Sequence, residues 1–265
     1  YDFTYWSSPL FANQDPSDDT TEDAFTLKQL SPMTMFDKYY KWNHAASPQA
    51  WQTIPVGAEV MVPGRGYIVR APQNFAIQGA SGAVATVYTA NFIGTPNNGI
   101  VEHEVTGSSL VDQWNLLGNP YPSALDMEKF LSFNAANLEG TIYLWTHNSQ
   151  IQATGVPGIY SYNPSDYATF NFSGSTATAP ASTGGPTPDE FLASGQSFFV
   201  KGLNTETVVF NNSMRVAGNN DQFFRPGLTQ PVNNWQTTGK HRIWLNLTGQ
   251  NAFNQTLVGY IQNAT

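Results

Sequence analysis

Cysteine is absent from all 265 residues, which excludes disulfides, zinc–thiolate centres and cysteine nucleophiles. Charge is scarce as well. Asp, Glu, Lys and Arg make up 11% of the chain, against about 25% in an ordinary globular protein. Helical bundles need charged outer faces, so the shortage disfavours them. The charge present leans acidic, 19 Asp and Glu against 11 Lys and Arg, a net of −8. Nucleic-acid binding rests on neutralising phosphates with Lys and Arg, and this balance argues against it. No apolar run approaches the ~20 residues of a membrane-spanning helix. Enzyme signatures are missing in turn: there is no G-x-S-x-G elbow, no H-E-x-x-H and no G-x-x-x-x-G-K-[ST] loop. Gly64-x-Gly66 lacks a third glycine and runs into strand-like sequence. The chain is therefore read as not an enzyme, any catalytic part lying outside this segment.

What is present points to β-structure. Aromatics make up 14%, and polarity comes from 24 Asn and 26 Thr beside 22 Gly and 17 Pro, a composition suited to strands joined by many turns. An internal repeat organises it. Tyr40-Lys41-Trp42-Asn43-His44 and Tyr143-Leu144-Trp145-Thr146-His147 share Y-x-W-x-H. Before each lies an apolar strand ending in small residues and proline, Tyr5-Trp6-Ser7-Ser8-Pro9 and Leu116-Leu117-Gly118-Asn119-Pro120. After each comes a glycine turn and a strand with a basic end, Gly64-Arg65-Gly66-Tyr67-Ile68-Val69-Arg70 and Gly195-Gln196-Ser197-Phe198-Phe199-Val200-Lys201. Ala85–Thr89 and Glu206–Phe210 read as closing strands. This predicts two duplicated β-sandwich, jelly-roll-like units over 1–107 and 108–225.

Short helices are expected to open at Ser31-Pro32, running towards Tyr39, and at Ser123. Ser173–Pro188 and Asn13–Asp23 read as loops. Beyond Arg225, Ile243–Leu247 and Leu257–Ile261 form a hairpin within a third segment, 226–265, read as the start of a following module. Its aliphatic side chains Ile243, Leu245 and Leu247 share one face, which a lone hairpin leaves without cover. Strand-like sequence at both ends suggests a piece of a longer chain.

These strings carry a resemblance. With Trp114–Ser123, Asn211–Arg215 and His241–Leu247, they make nearly the whole chain similar to the region just upstream of the sorting domain in Bacteroidetes proteins exported by the type IX secretion system. The resemblance implies export to the cell surface or medium, a sorting domain beyond Thr265 that engages the secretion machinery, and an adhesin-like setting. It supplies no catalytic residues.

Three clusters are candidates for chemistry. In a strand, residues i, i+2 and i+4 share a face, so Tyr40, Trp42 and His44, and likewise Tyr143, Trp145 and His147, form aromatic rows. Such rows hold sugar rings on their π faces or pack as core, and both readings stand. Asp15, Asp18, Asp19, Glu22 and Asp23 form an acidic loop of the kind that holds Ca²⁺ or is simply solvated. Glu102-His103-Glu104 sets two carboxylates on one strand face, a metal or acid–base pair or a polar edge. No other cofactor is expected. The function that follows is a non-catalytic module of a secreted or outer-membrane-attached protein, contributing adhesion or glycan contact. The alternatives are an accessory domain of a secreted polysaccharide-degrading enzyme and a structural spacer.

Overall fold

The structure, a computed structural model, describes residues 3–12, 24–73, 88–108, 110–146, 152–155, 160–161, 166–176, 188–220, 241–249 and 252–260. It is mostly β, as expected, in antiparallel sheets with short helices. The first sheet comprises β1 (Phe3–Trp6), β2 (Tyr39–Asn43), β3 (Ala50–Thr53) and β4 (Tyr67–Arg70), in the order β1-β4-β2-β3.

Before β2 lies α1 (Leu27–Leu30), where the chain departs from expectation. Thr26, not Ser31, opens this helix, because Thr26 and Gln29 form a reciprocal capping box. Ser31 sits at its C-terminal end, and the Tyr39 hydroxyl donates to the Ser31 carbonyl at 2.7 Å. Tyr39 therefore starts a strand, and Met33 and Phe36 lie in exposed turns.

Onward in chain order come β5 (Val101–Val105), β6 (Trp114–Gly118), β7 (Ala124–Asp126), α2 (Met127–Phe133), β8 (Thr141–Trp145), β9 (Gln152–Ala153), β10 (Tyr160–Ser161), β11 (Tyr167–Asn171), β12 (Gly174–Thr176), β13 (Phe191–Leu192), β14 (Ser197–Lys201), β15 (Glu206–Phe210) and β16 (Arg215–Val216). The second sheet runs β12-β11-β8-β14-β6. Two sequence expectations change here. The helix starts after Asp126, whose carboxylate accepts from the Lys129 N–H at 2.9 Å; Ala124–Asp126, next to Ser123, is instead a strand between β13 and β16. The loop expected from Ser173 begins with β12, because Asn171 Oδ1 accepts from the Ser173 and Gly174 N–H groups and closes a tight hairpin onto β11.

Leaving β12 aside, the second sheet has the first sheet's order, with β6, β14, β8 and β11 standing where β1, β4, β2 and β3 stand. The registers coincide as well. Tyr5 and Tyr40 both face Ile68 on β4, and Leu116 and Tyr143 both face Phe199 on β14. Trp42 pairs with Trp51, and Trp145 with Tyr167. The two Y-x-W strands thus occupy equivalent places. Of Ala85–Thr89, only Tyr88 and Thr89 are described, and neither is in a strand.

Apart from the exposed edge strand β3, each sheet packs side chains on both faces. Tyr67 and Val69 point outward with Tyr39 onto Leu27, Leu30, Ile54 and Met61. Phe198 and Val200 point outward onto Phe130 and Leu131 of α2. The alternate residues, Ile68 and Phe199, meet in a third cluster between the sheets. The sandwich therefore forms between the two units, one sheet from each. The strand β5 lies before the boundary read near Gly107, yet it pairs with β15, and its Val105 belongs to the second core.

Asn119 explains the L-L-G-N-P string. Its buried amide donates to the Ser123 and Leu192 carbonyls at 2.9 and 3.1 Å and accepts from the Tyr121 N–H at 3.0 Å. An uncharged amide thus ties the segment between β6 and β7 together and fastens it to β13, where an ion would carry a desolvation cost.

The expected hairpin is present, β17 (His241–Gly249) against β18 (Ala252–Tyr260), with Ile243 opposite Val258 and Leu245 opposite Thr256. Leu245 is 58% and Val258 39% exposed, while Leu257 on the other face is half-buried. The side chains of Ile243 and Leu247 lie outside the described residues. No helix among the described residues is long and apolar enough to cross a membrane.

Candidate aromatic site between the sheets

The strand period turns Tyr40 and Trp42 on β2, and Tyr143 and Trp145 on β8, to the inner faces of their sheets, where all four are half-buried. The structure brings both rows into one seam. Trp42 meets Trp51 edge-on at 5.1 Å, and Trp145 meets Tyr167 in the same way at 5.1 Å. Across the sheets, Trp42 packs edge-on against Phe199 at 5.4 Å, and Tyr5 stacks on Trp145 at 5.8 Å. Trp42 Nε1 donates to the Trp114 carbonyl at 2.8 Å. The Tyr5 and Tyr167 hydroxyls share a hydrogen bond of 2.7 Å. Edge-to-face pairs at these separations add roughly 0.5–1.5 kcal/mol each beyond area burial.

The structure places His44 of the motif outside its row. His44 lies just past β2, its Nδ1 2.6 Å from the Thr106 hydroxyl, and this bond ties the end of the first sheet to the end of β5. His147 lies outside the described residues. Sequence reasoning missed Trp51 and Tyr167, the cross-strand partners of the two tryptophans. A shared aromatic-x-Thr pattern, Trp51-Gln52-Thr53 and Tyr167-Ala168-Thr169, marks them.

Burial sets the electrostatics. It raises the Tyr5 phenol well above its ordinary range, with the neighbouring Tyr167 adding to the effect, and burial also pushes Tyr167 up to about 12. These phenols are neutral hydrogen-bonding groups and not bases. At one end of the seam Lys201 lies 5.0 Å from the Trp114 ring centre and 3.2 Å from Asp112, a cation held by a π face and a carboxylate together. At β3 the seam reaches solvent. The edge strand β3 is exposed along its length, and Trp51 is 37% exposed.

The remaining candidates divide. Asp15, Asp18, Asp19, Glu22 and Asp23 lie outside the described residues. Glu102 and Glu104 are exposed on one face of β5 as expected, with His103 buried on the other. Burial, then Arg65 and His44, lowers His103 to about 3. Among the described residues no three His, Asp or Glu side chains are arranged to hold a metal ion.

The geometry defines a class first: a mostly-β chain of two face-to-face antiparallel sheets joined by an aromatic seam. The model of one family, described as a domain of unknown function (DUF8693), matches residues 1–265, and the chain belongs to that family. No curated protein and no solved structure matches it.

Proposed function

We propose that the chain is a non-catalytic module of an exported bacterial surface protein, one that contacts glycan at the open rim of its aromatic seam. The observation that carries the reading is Trp51, an indole 37% exposed on an exposed edge strand and backed edge-on by Trp42. A sugar ring needs a flat apolar face beside hydrogen-bonding groups, and Thr53, exposed two residues further on, shares the strand face of Trp51. Export by the type IX route rests on the sequence resemblance alone. A glycan array probed with the chain and with Trp51→Leu tests the site. Binding by the parent that is lost in the variant, at an unchanged unfolding midpoint, supports it. A parent that retains no glycan overturns it.

The ring-against-ring packing of Tyr5, Trp42, Trp145 and Phe199 favours a second reading, in which the seam only fastens the sheets and the module is a spacer. Its place as an accessory domain beside a polysaccharide-degrading enzyme is compatible with either reading.

A further inference from the structure

The contacts between the sheets are reciprocal. The Ser7 N–H donates to the Gly195 carbonyl at 2.7 Å, and the Gly118 N–H donates to the Gly64 carbonyl at 3.0 Å. By register Ser7 is the counterpart of Gly118, and Gly195 that of Gly64. Trp6 bridges to Gln196, and Leu117, the counterpart of Trp6, bridges to Arg65, the counterpart of Gln196. When i meets j and the counterpart of j meets the counterpart of i, the contact has the form of an isologous dimer interface, here within one chain.

At two places where counterparts touch, the residues differ, and they differ in a complementary way. A Cβ on Gly118 would lie 2.2 Å from the Ser7 Cβ and 2.4 Å from its Oγ, with its next neighbour, the Gln196 carbonyl, at 3.4 Å. A Cβ on Gly66 would lie 2.9 Å from the Cβ of Ser197, its own counterpart. The Ser7/Gly118 contact therefore has room for one serine side chain and not for two, while at Gly66 Leu116 and the Leu117 carbonyl exclude a side chain together with Ser197. Pairing two first halves would set serine on serine at one contact and glycine on glycine at the other. Pairing two second halves would do the same with the places exchanged. Only the unlike pair fits at both.

We infer that Ser7/Gly118 and Ser197/Gly66 form a steric key that makes the inner face of each half specific for the other half of the chain, and not for a copy of itself. Rejection by overlap is an effective source of specificity, since two packed surfaces with apolar faces attract with little regard to partner. This inference is independent of the glycan reading, because it concerns how the seam is closed and not what its rim binds.

Exchanging the key within the full chain tests it, and the Ser7/Gly118 contact is the cleaner of the two. A side chain at Gly66 would also meet Leu116 Cγ at 2.5 Å and the Leu117 carbonyl at 2.8 Å. Gly118→Ser alone puts serine on both halves and should lower the melting temperature by on the order of 5–10 °C. Ser7→Gly alone puts glycine on both and loses the Ser7 hydroxyl bond to the Asn119 carbonyl, a smaller drop. The double exchange S7G/G118S restores one serine and one glycine and should melt well above Gly118→Ser. A Ser7→Ala/Gly118→Ser chain keeps the Cβ overlap and should stay low, which separates bulk from the hydroxyl bond. Should Gly118→Ser fail to fold, recovery of folded protein by S7G/G118S is the same result. A double exchange no more stable than Gly118→Ser would overturn the inference and leave Gly118 a requirement of its own strand.

Discussion

Among the described residues, the outer core of the first sheet has nine buried side chains, from Leu10 to Val69, and that of the second has seventeen. One turn of helix, α1, backs the first, whereas α2 with β5 and β15 backs the second. The first sheet ends at the exposed strand β3, while β12 covers the corresponding strand β11. Order and register are shared, so these differences lie in what was built around a common sheet. Among the described residues the second half thus has the larger outer core, and the expectation to test is that local opening starts in the first.

Truncation of counterparts puts that division to its hardest test. Phe198 and Tyr67 hold equivalent buried positions. Phe198→Ala should cost about 3–5 kcal/mol and Tyr67→Ala less, read from urea unfolding. Equal costs, or a separate early transition shifted only by Phe198→Ala, would break the comparison.

Acid gives the next largest effect, at the junction between the halves, where Gly64 packs on His103. His103 is held neutral down to about pH 3, while in the unfolded chain it takes up a proton near 6.5. The unfolded state therefore binds more protons between these values. Stability is complete above pH 6.5 and falls as pH drops towards 3, by a few kcal/mol at about 1.4 kcal/mol per unit. His103→Gln should flatten that slope in thermal melts taken across the range. An unchanged slope would move the acid sensitivity elsewhere.

Smaller effects sharpen the picture. Thr26→Ala and Asp126→Ala remove the caps of α1 and α2, and each should cost about 1 kcal/mol. Hydrogen exchange should show the loss confined to the first half for Thr26→Ala and spread through the second for Asp126→Ala. Least of all, Leu110→Ser, at a side chain 91% exposed, should change stability by under about 0.5 kcal/mol. A larger loss would mean that Leu110 is covered in solution.

Much of this was legible beforehand, for identifiable reasons. The β class followed from aromatics, Thr and Asn with little charge. The equivalence of the Tyr40–Trp42 and Tyr143–Trp145 strands followed from a shared pattern whose period sets which face a side chain takes. The site was legible only in part, since Trp51 and Tyr167 enter through cross-strand pairing and not through sequence neighbourhood. That the sandwich would close between the units was obscured because Tyr67-Ile68-Val69 and Phe198-Phe199-Val200 are apolar without alternation. Such runs mean burial on both faces but do not name the covering partner. The helix starts were misplaced where two capping signals competed. Thr26 with Gln29 prevailed over Ser31-Pro32 because two side chains satisfy backbone groups there instead of one.

The hydroxyl of Ser197 donates to the carbonyl of Trp6, and these partners are 191 residues apart. A ribosome adding roughly 5–20 residues per second needs about 10–40 s to make the second after the first. During that interval β1 has neither β4 nor the second sheet's turn to bind at the outset, and the inner aromatic face of the first half has nothing to meet. Closure must wait until Ser197 is made, and contacts this distant slow the search that finds them. An emerging chain of this design keeps its two inner aromatic faces apart until Ser197 has been made.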